Sequence, residues 1–215
     1  MPLAKTNALV QHDIFNIVIL TFITLLNFNY LIHATDISLI GTPYLGANHT
    51  HLFHYFYYSF IAYLLADTLW ISVIPKSTVT GPLPIVFHHI LVLMLSYVPY
   101  EEPQFNWFMA SSLLVEINTI LLAIKRYLPI NSLQYNILNI IFYATWILMR
   151  LICFPILTWF YISEYHRVSA AKGTYVSVAV LGPLVQGLVT ILNYKWSYDM
   201  LHKALYGKKK VVKKP

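Results

Sequence analysis

The chain is poor in charged residues and in cysteine. Only 10% of its 215 residues are Asp, Glu, Lys or Arg, whereas a soluble domain carries roughly 25%. A water-soluble domain of ordinary composition is therefore excluded. Cys153 is the only cysteine, which excludes a disulfide framework and a thiolate metal site.

The chain contains long runs of apolar residues. Hydrophobic residues make up 58% of the chain, and the mean hydropathy is +0.62. Inside hydrocarbon every backbone hydrogen bond must be made within the protein, and these runs are too long for barrel strands. We therefore predict an all-α, multi-pass transmembrane bundle of one domain with six spans. The predicted spans are 14 to 33, 52 to 74, 83 to 99, 105 to 124, 136 to 160 and 175 to 196.

The positions of the basic residues predict the topology. The net charge of +6 does not indicate a nucleic-acid partner, because the lysines and arginines gather beside alternate loops. By the positive-inside rule both termini are cytosolic. The N-terminus is then 1–13, the transmembrane domain 14–200 and a basic cytosolic tail 201–215. Residues that indicate the cytosolic side are Lys5, Lys76, Lys125, Arg126, Lys195, Lys203, Lys208, Lys209, Lys210, Lys213 and Lys214, against Arg167 and Lys172 on the other.

Two terminal and loop features agree with this topology. Asn48 begins an Asn-His-Thr triplet, a candidate N-glycosylation site, and it lies in a loop that the prediction places in the lumen. The lysines of the tail are expected to contact the anionic cytosolic leaflet. We expect an integral membrane protein of the endoplasmic reticulum or the Golgi.

Asp67, His88 and His89 form the first candidate site. Asp67 lies in the second predicted span and the histidines lie in the third. At about 1.5 Å per residue, all three are roughly 10 Å from the cytosolic ends of their helices. An imidazole beside a carboxylate is a candidate general base. The alternative is a polar clamp between two helices. No metal site is expected, because Ile85 stands where a histidine box would need another histidine.

Glu116 and Arg150 form the second candidate site. Each is an ionisable residue near the middle of a predicted span, the fourth and the fifth. We expect them to form an ion pair, since pairing offsets the cost of desolvation. The pair is either structural or part of a substrate-binding site.

Five segments in order resemble the TLC-domain family, whose members include ceramide synthases, translocating-chain-associated proteins and small lipid-homeostasis proteins. Asp67 stands in the segment similar to the family's aspartate-bearing segment, and His88 and His89 stand in the position of its paired histidines. The remaining similar segments are 115–128, 148–155 and 192–196, which carry Glu116, Arg150 and Asn193. The resemblance adds Asn193 to the candidate substrate-binding residues.

One departure from the family bears on function. Ceramide synthases carry two further aspartates after the paired histidines, and between Glu101 and Lys125 this chain has only Glu101, Glu102 and Glu116 as acidic residues. The resemblance therefore implies the small, non-synthase branch. We expect a lipid-homeostasis protein that binds, senses or moves a membrane lipid, with membrane lipids as partners and no resident cofactor. The first alternative is an acyltransferase that uses acyl-CoA as co-substrate, with His88 or His89 as base and Asp67 orienting it. The second alternative is a structural protein associated with the translocon.

Overall fold

A computed structural model describes residues 7–35, 50–79, 81–130 and 132–206. The predicted glycosylation site Asn48 and the tail lysines 208–214 lie outside the described residues. All regular elements of the described part are helical. They are α1 Asn7–Ala34, α2 Thr50–Val73, α3 Leu83–Glu101, α4 Asn106–Leu113, α5 Glu116–Lys125, α6 Leu133–Trp146, α7 Phe154–Lys172 and α8 Leu181–Tyr206, with short 3-10 turns at Pro75–Ser77, Pro103–Phe105 and Val178–Val180.

Six helical segments in the described part of the chain are long and apolar enough to cross a membrane, as predicted. The fourth span joins α4 and α5, and the fifth joins α6 and α7. Three spans extend at least seven residues beyond a predicted bound. The first begins at Asn7 rather than at residue 14, the fifth continues to Lys172 rather than to 160, and the sixth continues to Lys203 rather than to 196, because helices extend beyond the apolar core that hydropathy detects.

The spans pack as a ring. The α1 helix packs against α2 and α5, α2 packs against α3, α3 against α8, α8 against α7, and α6 closes the circuit against α5. The order around the ring is therefore first, second, third, sixth, fifth and fourth span. Every span presents one side to the interior of the ring, so polar side chains from all six can meet there.

The fifth span is bounded by two recognisable caps. Ser132 precedes α6, and its Oγ accepts a hydrogen bond from the backbone N–H of Tyr135 at 3.1 Å, which satisfies one of the free amides of a helix start. The span ends at Gly173, whose φ of 67° is left-handed. Glycine adopts this conformation without steric cost, so it is a common helix terminator.

The helices of the fourth and fifth spans are irregular next to the two charged residues within them. The backbone tightens between α4 and α5, where Val115 N–H bonds Ser112 O at 3.4 Å, immediately before Glu116. The segment Ile147–Cys153, which contains Arg150, is a π-helix. Pro155 follows two residues after this segment. Because proline has no backbone N–H, one hydrogen bond to the preceding turn is missing. Widened turns of this kind are frequent at functional sites.

Candidate functional site

Asp67 lies between two histidines. It is 3% exposed, and its Oδ1 is 2.5 Å from His12 Nε2. Its Oδ2 faces His89 Nε2 at 3.5 Å. The expected approach of Asp67 to one of the paired histidines is therefore present, and His89 is that histidine. The carboxylate can only accept when it is ionised, so the contact requires the His12 ring to carry a proton on Nε2.

Thr68 contacts the second ring nitrogen of His89. Its Oγ1 lies 2.8 Å from His89 Nδ1 and 2.6 Å from the carbonyl oxygen of Leu64. The hydroxyl has one proton, which it donates to the Leu64 carbonyl, so its oxygen is left to accept a hydrogen bond from Nδ1–H of His89. Both nitrogens of His89 thus face protein groups, and His89 is poorly placed to accept a proton from a ligand.

His88 is in a different environment. Adjacent helical residues point about 100° apart, and the His88 ring packs edge-on against Trp196 with ring centres 5.3 Å apart. Its Nδ1 is fully buried and has no hydrogen-bond partner among the described groups. His88 lines an internal cavity. Of the two histidines, it is the one whose ring is left for a ligand.

Arg150 is held by the sixth span. It is 7% exposed, and its guanidinium donates to Asn193 Oδ1 at 2.5 Å. The guanidinium carbon lies 4.5 Å from the ring centre of Trp146 and 5.6 Å from that of Trp196. Contacts of this type are cation–π interactions, and they are strongest when desolvated.

Glu116 and Arg150 do not make the direct contact expected of an ion pair. Both line the cavity and attract each other there, but the ion pairs within 4.0 Å among the described residues do not include this one. Arg150 donates a hydrogen bond to Asn193. Counting residues along two helices predicts equal depth, but it does not give the direction of a side chain within a π-helical segment such as Ile147–Cys153.

The cavity has a volume of about 270 Å³ and lies at one end of the ring. It reaches the turn between α2 and α3 and the end of the fourth span, which are predicted to be cytosolic. Residues of all six spans contribute to its wall. They include His12, Asp13, Asn16, Tyr63, Asp67, Ser77, His88, His89, Glu116, Thr119, Arg126, Trp146, Arg150 and Trp196. The lining is rich in ionisable groups, unlike the mostly apolar lining of common ligand pockets.

The first helix supplies site residues that the sequence analysis did not single out. Besides His12, it contributes Asp13, which is 1% exposed and accepts a hydrogen bond from Arg126. Asn16 accepts a hydrogen bond from Tyr63 at 3.1 Å. The available signal was the i,i+4 spacing of His12 and Asn16, which lie on one face of a helix just before the apolar run.

The candidate residues of the two predicted sites thus meet around one cavity, with Asn193 behind Arg150. Among the described residues no group of three or more His, Cys, Asp or Glu side chains is arranged to hold a metal ion. The family model described as the TLC domain matches residues 9–202. The chain belongs to the TLC-domain family. The match includes the first helix with His12 and ends beyond Trp196, so the whole cavity lies in the TLC domain. No curated protein and no solved structure matches the chain significantly.

Proposed function

We propose that this TLC-domain protein binds the polar head of a membrane lipid in the cavity and transfers an acyl chain to it from acyl-CoA. The observation that carries the proposal is the contrast between the two histidines. The nitrogens of His89 face Asp67 and Thr68, whereas His88 lines the cavity and its buried Nδ1 has no hydrogen-bond partner among the described groups. An imidazole in the wall of a ligand-sized space is placed to accept a proton from a bound ligand.

In this proposal His88 takes the proton of the acceptor hydroxyl or amine. The acceptor oxygen or nitrogen attacks the thioester carbonyl, a new ester or amide bond forms, and the carbon–sulfur bond breaks. The proton then passes from His88 to the departing thiolate of coenzyme A. Asp67 and His89 act as positioning residues, because their contacts fix the start of α3 beside α2.

The size of the cavity suits part of a lipid. Pockets that enclose a drug-sized ligand measure roughly 300 to 1,000 Å³, and this cavity measures about 270 Å³. It therefore has room for a head group and the reacting atoms, and the acyl chains must lie outside it. The cavity reaches the predicted cytosolic end of the ring, where acyl-CoA would be supplied. We further propose an endoplasmic reticulum or Golgi membrane, with both termini in the cytosol.

A second candidate function is lipid binding or movement without chemistry. It is favoured by the acidic residues that follow the paired histidines. Glu102, which is 6% exposed, is bonded to Lys172 and Gln104 and does not line the cavity. Among the described residues, Glu116 is thus the one acidic residue between Glu101 and Lys125 that lines the cavity. Ceramide synthases carry two aspartates in the corresponding stretch.

The experiment compares wild type with His88→Ala in lipid nanodiscs, using labelled acyl-CoA and a total lipid extract. We expect His88→Ala to lower acyl transfer about a hundredfold or more, the usual contribution of a general base. The matched control is His166→Ala, because His166 is exposed on α7 and away from the cavity.

Two other outcomes would be informative. Full activity of His88→Ala would show that this histidine is not the base. Co-purified lipid with no transfer by the wild type would favour the second candidate function.

A further inference from the structure

Arg150 is a buried cation with no carboxylate in direct contact among the described residues. Glu116, the carboxylate that attracts it, lies beyond ion-pair distance in the wall of the same cavity. Arg150 is 7% exposed and lies within the fifth span, where an unpaired charge is costly and usually marks a ligand or ion site. The acidic residues of the cavity wall either pair with other residues or do not contact Arg150. Asp67 faces His12 and His89, and Asp13 pairs with Arg126. Among the described residues no ion pair within 4.0 Å involves Arg150.

Two donors at this place lack acceptors. A guanidinium has five N–H groups and no acceptor, and one nitrogen of Arg150 donates to Asn193 Oδ1. Arg150 Nε is buried without a partner in the described part of the protein, and so is Asn193 Nδ2. Asn193 itself is 0% exposed. The neighbourhood therefore offers surplus donors and one positive charge, which is complementary to an oxyanion.

The surplus donors lie beside the proposed base. Trp196 contacts both side chains, with its ring centre 5.3 Å from that of His88 and 5.6 Å from the Arg150 guanidinium carbon. An oxyanion on Arg150 would hold the adjoining part of the same ligand next to His88. Glu116, which lines the same cavity without an ion pair, is an acceptor for a hydroxyl of that ligand.

We infer that Arg150, held in place by Asn193, binds the phosphate of a lipid acceptor whose free hydroxyl lies beside His88, that is, a phosphate-bearing lipid with one acyl chain. Arginine binds phosphate through two parallel N–H groups, and phosphate is the anion that membrane lipids carry in their heads. The identity of the acceptor rests on the proposed acyl transfer, whereas the phosphate site does not.

Binding is measured by native mass spectrometry of the full chain in a non-ionic detergent. The probes are a lysophosphatidate and a monoacylglycerol with the same acyl chain, which differ in the phosphate. We expect the lysophosphatidate to bind at least about tenfold more tightly, the factor that 1.4 kcal/mol provides. Coenzyme A and inorganic phosphate are added as competitors, and neither should displace the lipid. Displacement by either competitor would show that the site binds a soluble phosphate, and it would overturn the assignment to a lipid head group.

Asn193→Asp gives the sharpest test. The aspartate places a carboxylate within the protein against Arg150, so the variant should fold at least as stably as the wild type and lose the preference for phosphate. It should still bind the monoacylglycerol. Arg150→Gln should lose the preference too, and Arg167→Gln is the control, because Arg167 pairs with Glu164 on α7 away from the cavity.

The outcomes separate this inference from the proposed function. Equal binding of the two lipids by the wild type, or a phosphate preference retained in Asn193→Asp, would overturn the inference. Acyl transfer to the monoacylglycerol with no phosphate preference would overturn it and leave the proposed function intact. A phosphate preference without any transfer would support the site and count against the acyltransferase.

Discussion

Asparagine in place of Asp67 is expected to lower acyl transfer by up to about a hundredfold, with little loss of folded protein, because a catalytic group misplaced by about 1 Å can cost that much. Asparagine has nearly the same shape but no charge, and its amide nitrogen replaces one of the two oxygens that face His12 and His89. The contact with His89 positions α3, which carries the base His88. Steady-state transfer from labelled acyl-CoA, with elution volume as the measure of folding, checks the result.

The control for Asp67→Asn is Asp199→Asn. Asp199 pairs with Lys195 at 2.6 Å on the surface of α8, and its side chain is 45% exposed, so its loss should change neither activity nor yield. Surface pairs of this kind contribute little to stability. Transfer by Asp67→Asn at the wild-type rate would remove the positioning role assigned to the carboxylate.

Leucine in place of Gly182 is expected to prevent the accumulation of folded protein or to lower its melting temperature sharply. A Cβ at this position would stand 2.9 Å from Tyr161 Cδ1 and 3.5 Å from Phe105 Cε1. Both rings are 0% exposed and stack on each other with centres 5.6 Å apart, so neither has space to move. Overpacking of a filled core costs about 1 to 3 kcal/mol, and more where nothing yields.

Gly187 provides the matched control on the same helix. A Cβ at Gly187 would meet nothing within 4 Å, so Gly187→Leu should melt close to the wild type. Thermal unfolding of both variants in detergent, followed by size-exclusion chromatography with fluorescence detection, makes the comparison. Equal melting temperatures for the two leucine variants would show that the ring stack is not close-packed.

The six spans were predictable because length and apolarity decide them locally. The third helix begins at Leu83, where the sequence predicts residue 83, since Pro82 and Pro84 mark the start of the helix. The approach of Asp67 to His89 was also predictable, because two antiparallel helices joined by a short loop bring residues of equal depth together. Depth along a helix can be counted from the sequence.

The direction in which a side chain points around its helix was less predictable. The sequence predicts direct contact of Arg150 with Glu116, but its hydrogen bond is with Asn193, because depth along a helix does not give the direction of a side chain in a π-helical segment. His12 and Asp13 were missed because their partners, Asp67 and Arg126, are distant in sequence. Those contacts depend on the order of the ring, which places α1 between α2 and α5, and hydropathy carries no information about that order.

The ring order also has a consequence for biosynthesis. During synthesis from the N-terminus, Asp67 emerges after its partner His12, so the carboxylate can enter the membrane with a hydrogen-bond partner already present. Arg150 emerges before Asn193 and Trp196, which belong to the last span. The half-made chain therefore holds an arginine that gains its contacts with these two residues only when the sixth span joins the ring.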